Sequence, residues 1–116
     1  MRLRLPLPPP INACHRAVIK GDKAVVLRSK AYREWLRDCE GWLALAEGTK
    51  VETGDVRVSL VAVFKDRRRD LDSVVKPTLD ALQGVAYSND KQVDVLHIKR
   101  MVDKADPHVD IMVWSL

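Results

Sequence analysis

The residue pattern predicts an α+β fold with two main helices and a mixed or mainly antiparallel sheet. Three observations carry that expectation. Apolar residues alternate with period two around residues 2–5, 55–65 and 109–113. Two intervening segments switch to helical spacing, after Ser29 and again over 71–84. Strands and helices intermix without a repeated βαβ unit, which argues against an all-parallel sheet. No internal repeat or linker is visible, so residues 1–116 read as one domain.

The opening Arg2-Leu3-Arg4-Leu5 predicts a short strand over 2–5, ended by Pro6 and the Pro8-Pro9-Pro10 run, because proline lacks the N–H a ladder requires. The run reads as a stiff loop; docking on an aromatic groove is the sharper alternative. Gly21-Asp22-Lys23 is a turn before a short strand, Ala24 to Leu27. Ser29 then caps a helix whose stripe is Tyr32, Trp35, Leu36, Cys39, Trp42, Leu43 and Ala46, with Gly48 as its terminator. Both tryptophans of the stripe read as core, with base stacking the rarer alternative. Residues 55–65 alternate and turn apolar on both faces midway, the mark of an inner strand. Leu71, Val74, Val75, Thr78, Leu79 and Leu82 form the second helical stripe, in which Pro77 kinks or delays the helix. Residues 85–91 read as a polar loop, 93–102 as a strand, Asp106-Pro107 as a turn and 109–113 as the last strand.

The 116 residues carry 20 Lys+Arg against 16 Asp+Glu, a net charge of +4, and are 47% hydrophobic and 31% charged. That balance excludes a disordered chain, a collagen repeat and a coiled-coil rod. No stretch approaches the roughly 20 apolar residues of a membrane span, and the proline-rich start lacks a secretory apolar core, so a cytoplasmic location is expected. Cys14 and Cys39 have no CxxC spacing and read as free thiols. The basic balance permits a polyanionic partner without demonstrating one.

The chemistry concentrates in Lys65-Asp66-Arg67-Arg68-Arg69-Asp70-Leu71-Asp72 and continues through Lys76 and Asp80. This segment joins a strand end to a helix start, where free N–H groups and the positive dipole end favour anions. Asp72, Lys76 and Asp80 are spaced i, i+4, i+8 and share the face opposite the apolar stripe. Asp70 approaches from the incoming loop, and Asp90 follows the helix. Converging aspartates raise one another's pKa unless a cation neutralises them, and an oxygen-only set suits Mg²⁺ or Mn²⁺. His15, His97 and His108 are scattered and offer no zinc spacing. A hard cation beside arginines points to a phosphodiester, with Lys76 stabilising the transition state or orienting the nucleophile. The competing structural reading is a capped helix with Asp72–Lys76 and Lys76–Asp80 surface pairs, each worth about 0.3–0.5 kcal/mol.

The string Arg67-Arg68-Arg69-Asp70-Leu71-Asp72-Ser73-Val74-Val75-Lys76-Pro77-Thr78-Leu79-Asp80-Ala81-Leu82, followed by Asn89-Asp90-Lys91-Gln92-Val93, resembles the RusA family of Holliday-junction resolvases. Asp70 and Asp72 match the family's first acidic pair, Lys76 its lysine, Asp80 with Leu82 its D-x-L, and Asp90 with Val93 the end of its second block. The opening Leu5 to Asn12 is similar as well. Ser73 stands where the family commonly has asparagine, and Asn89 where it commonly has aspartate.

The resemblance implies a single RusA-like domain and a homodimeric, Mg²⁺-dependent endonuclease with Mn²⁺ able to substitute, often prophage-encoded. It would cut four-way DNA junctions symmetrically in recombination and repair. Asp70, Asp72 and Asp90 would hold the metal and Lys76 would serve the transition state. Arg67, Arg68, Arg69 and Lys91 flank the site in sequence and are candidate phosphate contacts, with Lys99 and Arg100 weaker ones. Neither an organic cofactor nor a membrane partner is expected. Two other functions compete: a branched-DNA-binding protein that has lost catalysis, and a related nuclease acting on flaps or other branched nucleic acids.

Overall fold

The computed structural model describes residues 1–116. Strand β1 (Arg2–Pro6) alternates exposed arginines with buried Leu3 and Leu5. Strands β2 (His15–Lys20) and β3 (Lys23–Arg28) form an antiparallel hairpin that is a two-stranded sheet of its own. Helix α1 (Lys30–Ala44), strand β4 (Val56–Phe64), helix α2 (Val75–Leu82), strand β5 (Val93–Val102) and strand β6 (His108–Ser115) follow. The main sheet has the order β1-β6-β4-β5. Its β1–β6 and β6–β4 pairs are antiparallel and its β4–β5 pair is parallel, so the sheet is mixed and the fold α+β. A parallel pair needs a crossover, and the segment containing α2 supplies it.

Strand β4 lies between β5 and β6, and its last three residues, Ala62, Val63 and Phe64, are all buried. The register sets Leu60 beside Ile111, and Ile111 beside Leu3. That row and its neighbours Leu5, Val56, Val58, Val109 and Val113 meet Tyr32, Trp35 and Cys39 of α1, and Leu82, Ala86 and Tyr87. Full burial of each aliphatic side chain contributes about 1.5–3 kcal/mol against exposure.

Ser29 caps α1 as its sequence position indicates: its Oγ accepts the Tyr32 N–H at 3.1 Å and donates to the Ala13 carbonyl at 2.7 Å. Trp35 is buried and its Nε1–H donates to the Pro6 carbonyl at 2.8 Å. Trp42 departs from the expected core position. It is 42% exposed and lines an open groove of about 520 Å³ with Arg2, Arg4 and Met112. It belongs to the last turn of α1, beside β1 at the edge of the sheet, where no further strand covers the indole. The helix stops at Ala44 rather than running to Gly48, because Glu47 exchanges two backbone hydrogen bonds with Arg2. Gly48 adopts φ +116°, and a Cβ there would lie 2.8 Å from the Met1 Cα; the close approach requires glycine.

The second helical segment begins as a 3-10 turn, Leu71–Val74, and becomes α-helical at Val75. Pro77 is therefore in the first α-helical turn, where its missing N–H removes no intrahelical bond. It delays the helix and does not break it. Two expectations need correction. Strand β2 was not anticipated, because only Val18 of it is half-buried and its Ala17-Val18-Ile19 run leaves no alternation to read, whereas β3 alternates. The loop after α2 is not wholly polar: Ala86 and Tyr87 are fully buried, and the Tyr87 hydroxyl donates to the Leu79 carbonyl at 2.6 Å.

Candidate active site

The backbone leaves β4 at Phe64 and turns on its own side chains before α2. The Asp66 carboxylate accepts the Arg68 N–H at 2.9 Å and closes a turn at the end of the strand. Asp70 has an extended backbone (φ −68°, ψ 139°) just ahead of the 3-10 turn, yet its side chain makes no capping bond. No side chain caps the turn; the Ser73 Oγ instead donates back to the Asp70 carbonyl at 2.7 Å.

The Asp70 and Asp72 carboxylates are consequently exposed, with neither a hydrogen-bond nor an ion-pair partner in the chain. They line one groove of about 360 Å³ with Pro10, Ile11, Asn12, Arg68, Arg69 and Ser73.

The opposite wall is the proline loop, and Arg69 fixes it in place. Its Nη1 donates to the Pro8 carbonyl at 2.7 Å and its Nη2 to Ser73 Oγ at 3.2 Å. Its guanidinium lies 5.4 Å from the Phe64 ring centroid, and that of Arg100 lies 4.7 Å from the same ring. Arg100 Nη2 donates to the Arg69 carbonyl at 2.6 Å. Burial pushes the Arg69 pKa down, and its Nε has no partner. Arg67 and Arg68 remain exposed.

Lys76 forms a second cluster. Its Nζ donates to Asp80 Oδ1 and to Asp90 Oδ2, each at 2.8 Å. The bond from Lys76 holds the Asp90 carboxyl below the usual carboxylate range. In return, hydrogen bonds to Asp80 and Asp90 hold the ammonium well above the usual lysine range. At neutral pH Lys76 is a fixed cation rather than a proton acceptor.

A polar framework sets the position of Asp90. Gln83 Oε1 accepts its N–H at 3.0 Å, and Asn89 caps the following 3-10 turn, Asp90–Gln92, by accepting the Lys91 N–H at 2.9 Å. Gln92 Oε1 closes the capping box on the Asn89 N–H at 3.0 Å. Lys91 is exposed beside Asp90.

The chain thus pairs Asp70 with Asp72, and Asp90 with Lys76 and Asp80. No three His, Cys, Asp or Glu side chains gather as a ready metal cage. The groove's donors nonetheless fit a hard cation: Asp70, Asp72 and the Asn12 side chain offer oxygens. Mg²⁺ commonly takes one or two carboxylates, keeps water, and takes its remaining ligands from substrate phosphate.

The model of the family endodeoxyribonuclease RusA matches residues 6–114, nearly the whole chain. The chain belongs to the RusA family. It is by that membership an endodeoxyribonuclease, a hydrolase of DNA phosphodiesters. No curated protein matches the sequence. The matched span contains Asp70, Asp72, Lys76 and Asp90, and both departures from the RusA pattern are structurally filled. Ser73 closes the 3-10 turn and receives Arg69, while Asn89 caps its turn without adding charge.

Spacing alone did not mark Asn12 as a groove residue; only the resemblance of the amino-terminal stretch touched it. Gln83 and Gln92 carried no signal at all, because a glutamine's framework role depends on which loop folds against it.

Proposed function

We propose that this RusA-family chain is a Mg²⁺-dependent, structure-selective endonuclease that resolves four-way DNA junctions by paired symmetric cuts, acting as a homodimer in recombination and repair. The supporting observation is the pair of exposed, unpartnered carboxylates, Asp70 and Asp72, in a groove shared with Arg68. Asp70 and Asp72, with Asp90 as a third ligand, would hold Mg²⁺ or Mn²⁺, and such a cation would supply a water of lowered pKa and shield the phosphate charge. Lys76, kept protonated by Asp80 and Asp90, offers a fixed positive charge to the negative charge that develops on the phosphate. Arg67, Arg68 and Lys91 are exposed phosphate contacts, and Arg69 holds the proline wall through Pro8. A four-way junction needs two cuts related by a two-fold axis, which a C2 dimer provides.

The test uses a labelled synthetic four-way junction and a matched linear duplex, in Mg²⁺, Mn²⁺ and EDTA, with products resolved on a denaturing gel. Metal-dependent, symmetric nicks confined to the junction are expected. Tight binding without nicks in either metal would make the chain a branched-DNA-binding protein. Preferential cutting of flaps would replace the junction assignment with a flap nuclease.

A further inference from the structure

We infer that the β2–β3 hairpin is a second DNA-contacting surface, on which Arg16, Lys20 and Lys23 follow the phosphates of a duplex arm beside the cut strand. The inference rests on the junction-endonuclease reading above. Its first support is charge. Residues 15–28 contain four cations, Arg16, Lys20, Lys23 and Arg28, against one acid, Asp22, a net of +3 out of the chain's +4.

The register concentrates that charge. Arg16 pairs with Leu27, Val18 with Val25 and Lys20 with Lys23, so three of the cations share one face. Like charges set directly opposite on a ladder destabilise it, yet Lys20 and Lys23 stand opposed and no acid answers them. Neither they nor Arg16 make an ion pair or a side-chain hydrogen bond, whereas Arg28, on the other face, lies 5.8 Å from the Tyr32 ring centroid. A polyanion is the partner that turns this local cost into binding.

The hairpin's construction fits such a role. None of its residues is buried, and an isolated two-stranded ribbon has little stability of its own. Its two feet are pinned instead. Cys14 is fully buried, its carbonyl accepts the Ser29 N–H at 2.9 Å, and Ser29 Oγ donates to the Ala13 carbonyl at 2.7 Å. Ile11 and Asn12, just ahead of β2, line the groove that contains Asp70 and Asp72. The ribbon therefore springs from the wall of the candidate active site. Arg16 and Lys20 are separated by about 13 Å of extended strand, roughly four base-pair rises of 3.4 Å. A two-stranded ribbon also has the width to enter a major groove. A second copy of the chain is a poor occupant of this face, because a two-fold contact would set cations on cations.

The test is junction binding in EDTA, across 50–200 mM salt, for the native chain and the variant R16A/K20A/K23A. Circular dichroism and the thermal midpoint confirm that the variant is folded. The variant is expected to bind at least tenfold more weakly, with a salt slope shallower by about 2–3, as the loss of three phosphate contacts requires. A charge-preserving variant, R16K/K20R/K23R, should retain the native slope. If the native chain binds and R16A/K20A/K23A matches it in slope and affinity, the hairpin inference fails while the endonuclease reading stands. If the native chain binds neither junction nor duplex, both fall. Ile19 is exposed on the opposite face, paired with Ala24; an unchanged slope together with dissociation of the dimer by I19E would identify the hairpin as a protein interface and overturn the inference.

Discussion

Asp90 shows how much a single neighbour does at this site. Lys76 depresses its pKa, so the bridge contributes stability above the carboxylate's unfolded value, and that contribution is lost as pH falls through the folded one. The lysine's raised pKa acts in the opposite sense: its contribution is present below its unfolded pKa and disappears only as strongly alkaline pH passes the folded value. Between those limits the bridge is constant, so Lys76 should not shape the pH–rate profile near neutrality. In Lys76→Met, the Asp90 carboxyl should titrate at higher pH than in the native chain, read by carboxyl NMR; an unmoved titration would refute the coupling. Asp72 has no such partner. Asp72→Asn should abolish junction cutting and leave junction binding intact or tighter, since it removes negative charge facing the phosphates; full cleavage by this variant would sink the site assignment. Acidic spacing in the sequence drew attention to both residues. It did not reveal that Lys76 takes Asp90 and Asp80 while leaving Asp72 free, because a loop after α2, distant in spacing from Asp72, delivers Asp90.

Among the elements, local chemistry set most boundaries. Ser29 starts α1, Pro77 holds back α2 until Val75, and strand β5 spans the residues its pattern marks, 93–102. Asn89 belongs at this scale, because its function is to start the turn that presents Asp90. Aspartate caps as well as asparagine, so Asn89→Asp should change the denaturation midpoint little. Asn89→Ala should cost about 1 kcal/mol and loosen the Asp90–Lys76 bridge. Equal stability of all three chains in chemical denaturation would show that the cap contributes nothing. Strand β2 is the element that local pattern missed, whereas the turn at 21–23 and the strand over 24–27 were legible. Only Val18 of β2 is half-buried, and it sits among the consecutive apolar residues Ala17, Val18 and Ile19, so that strand shows no alternation.

For the molecule as a whole, one inner sheet face against α1 and the segment after β4 makes the core, while the candidate site lies outside it between the proline loop and the start of the 3-10 turn. A C2 pair of such chains would present two equivalent grooves to a junction. Light scattering should accordingly give twice the chain mass at assay concentrations, and a monomer that still makes paired, simultaneous cuts would contradict the dimer.

The sequence by itself determined the fold class, the inner position of β4 and the Ser29 cap of α1, and it marked the run of charge that carries the proposed chemistry. Each of these depends on period, on a turn residue or on a short-range run of charge. Only the tertiary structure decided that Arg69 is a half-buried brace reaching Pro8, that Trp42 is left at a sheet edge, and that the four acidic positions divide between a free pair and a lysine-bound pair. Apart from the i,i+4 Lys76–Asp80 bond, those outcomes depend on contacts between residues well separated in the chain, whose geometry is fixed by how the strands order and how the proline loop returns. Local pattern contains no record of either.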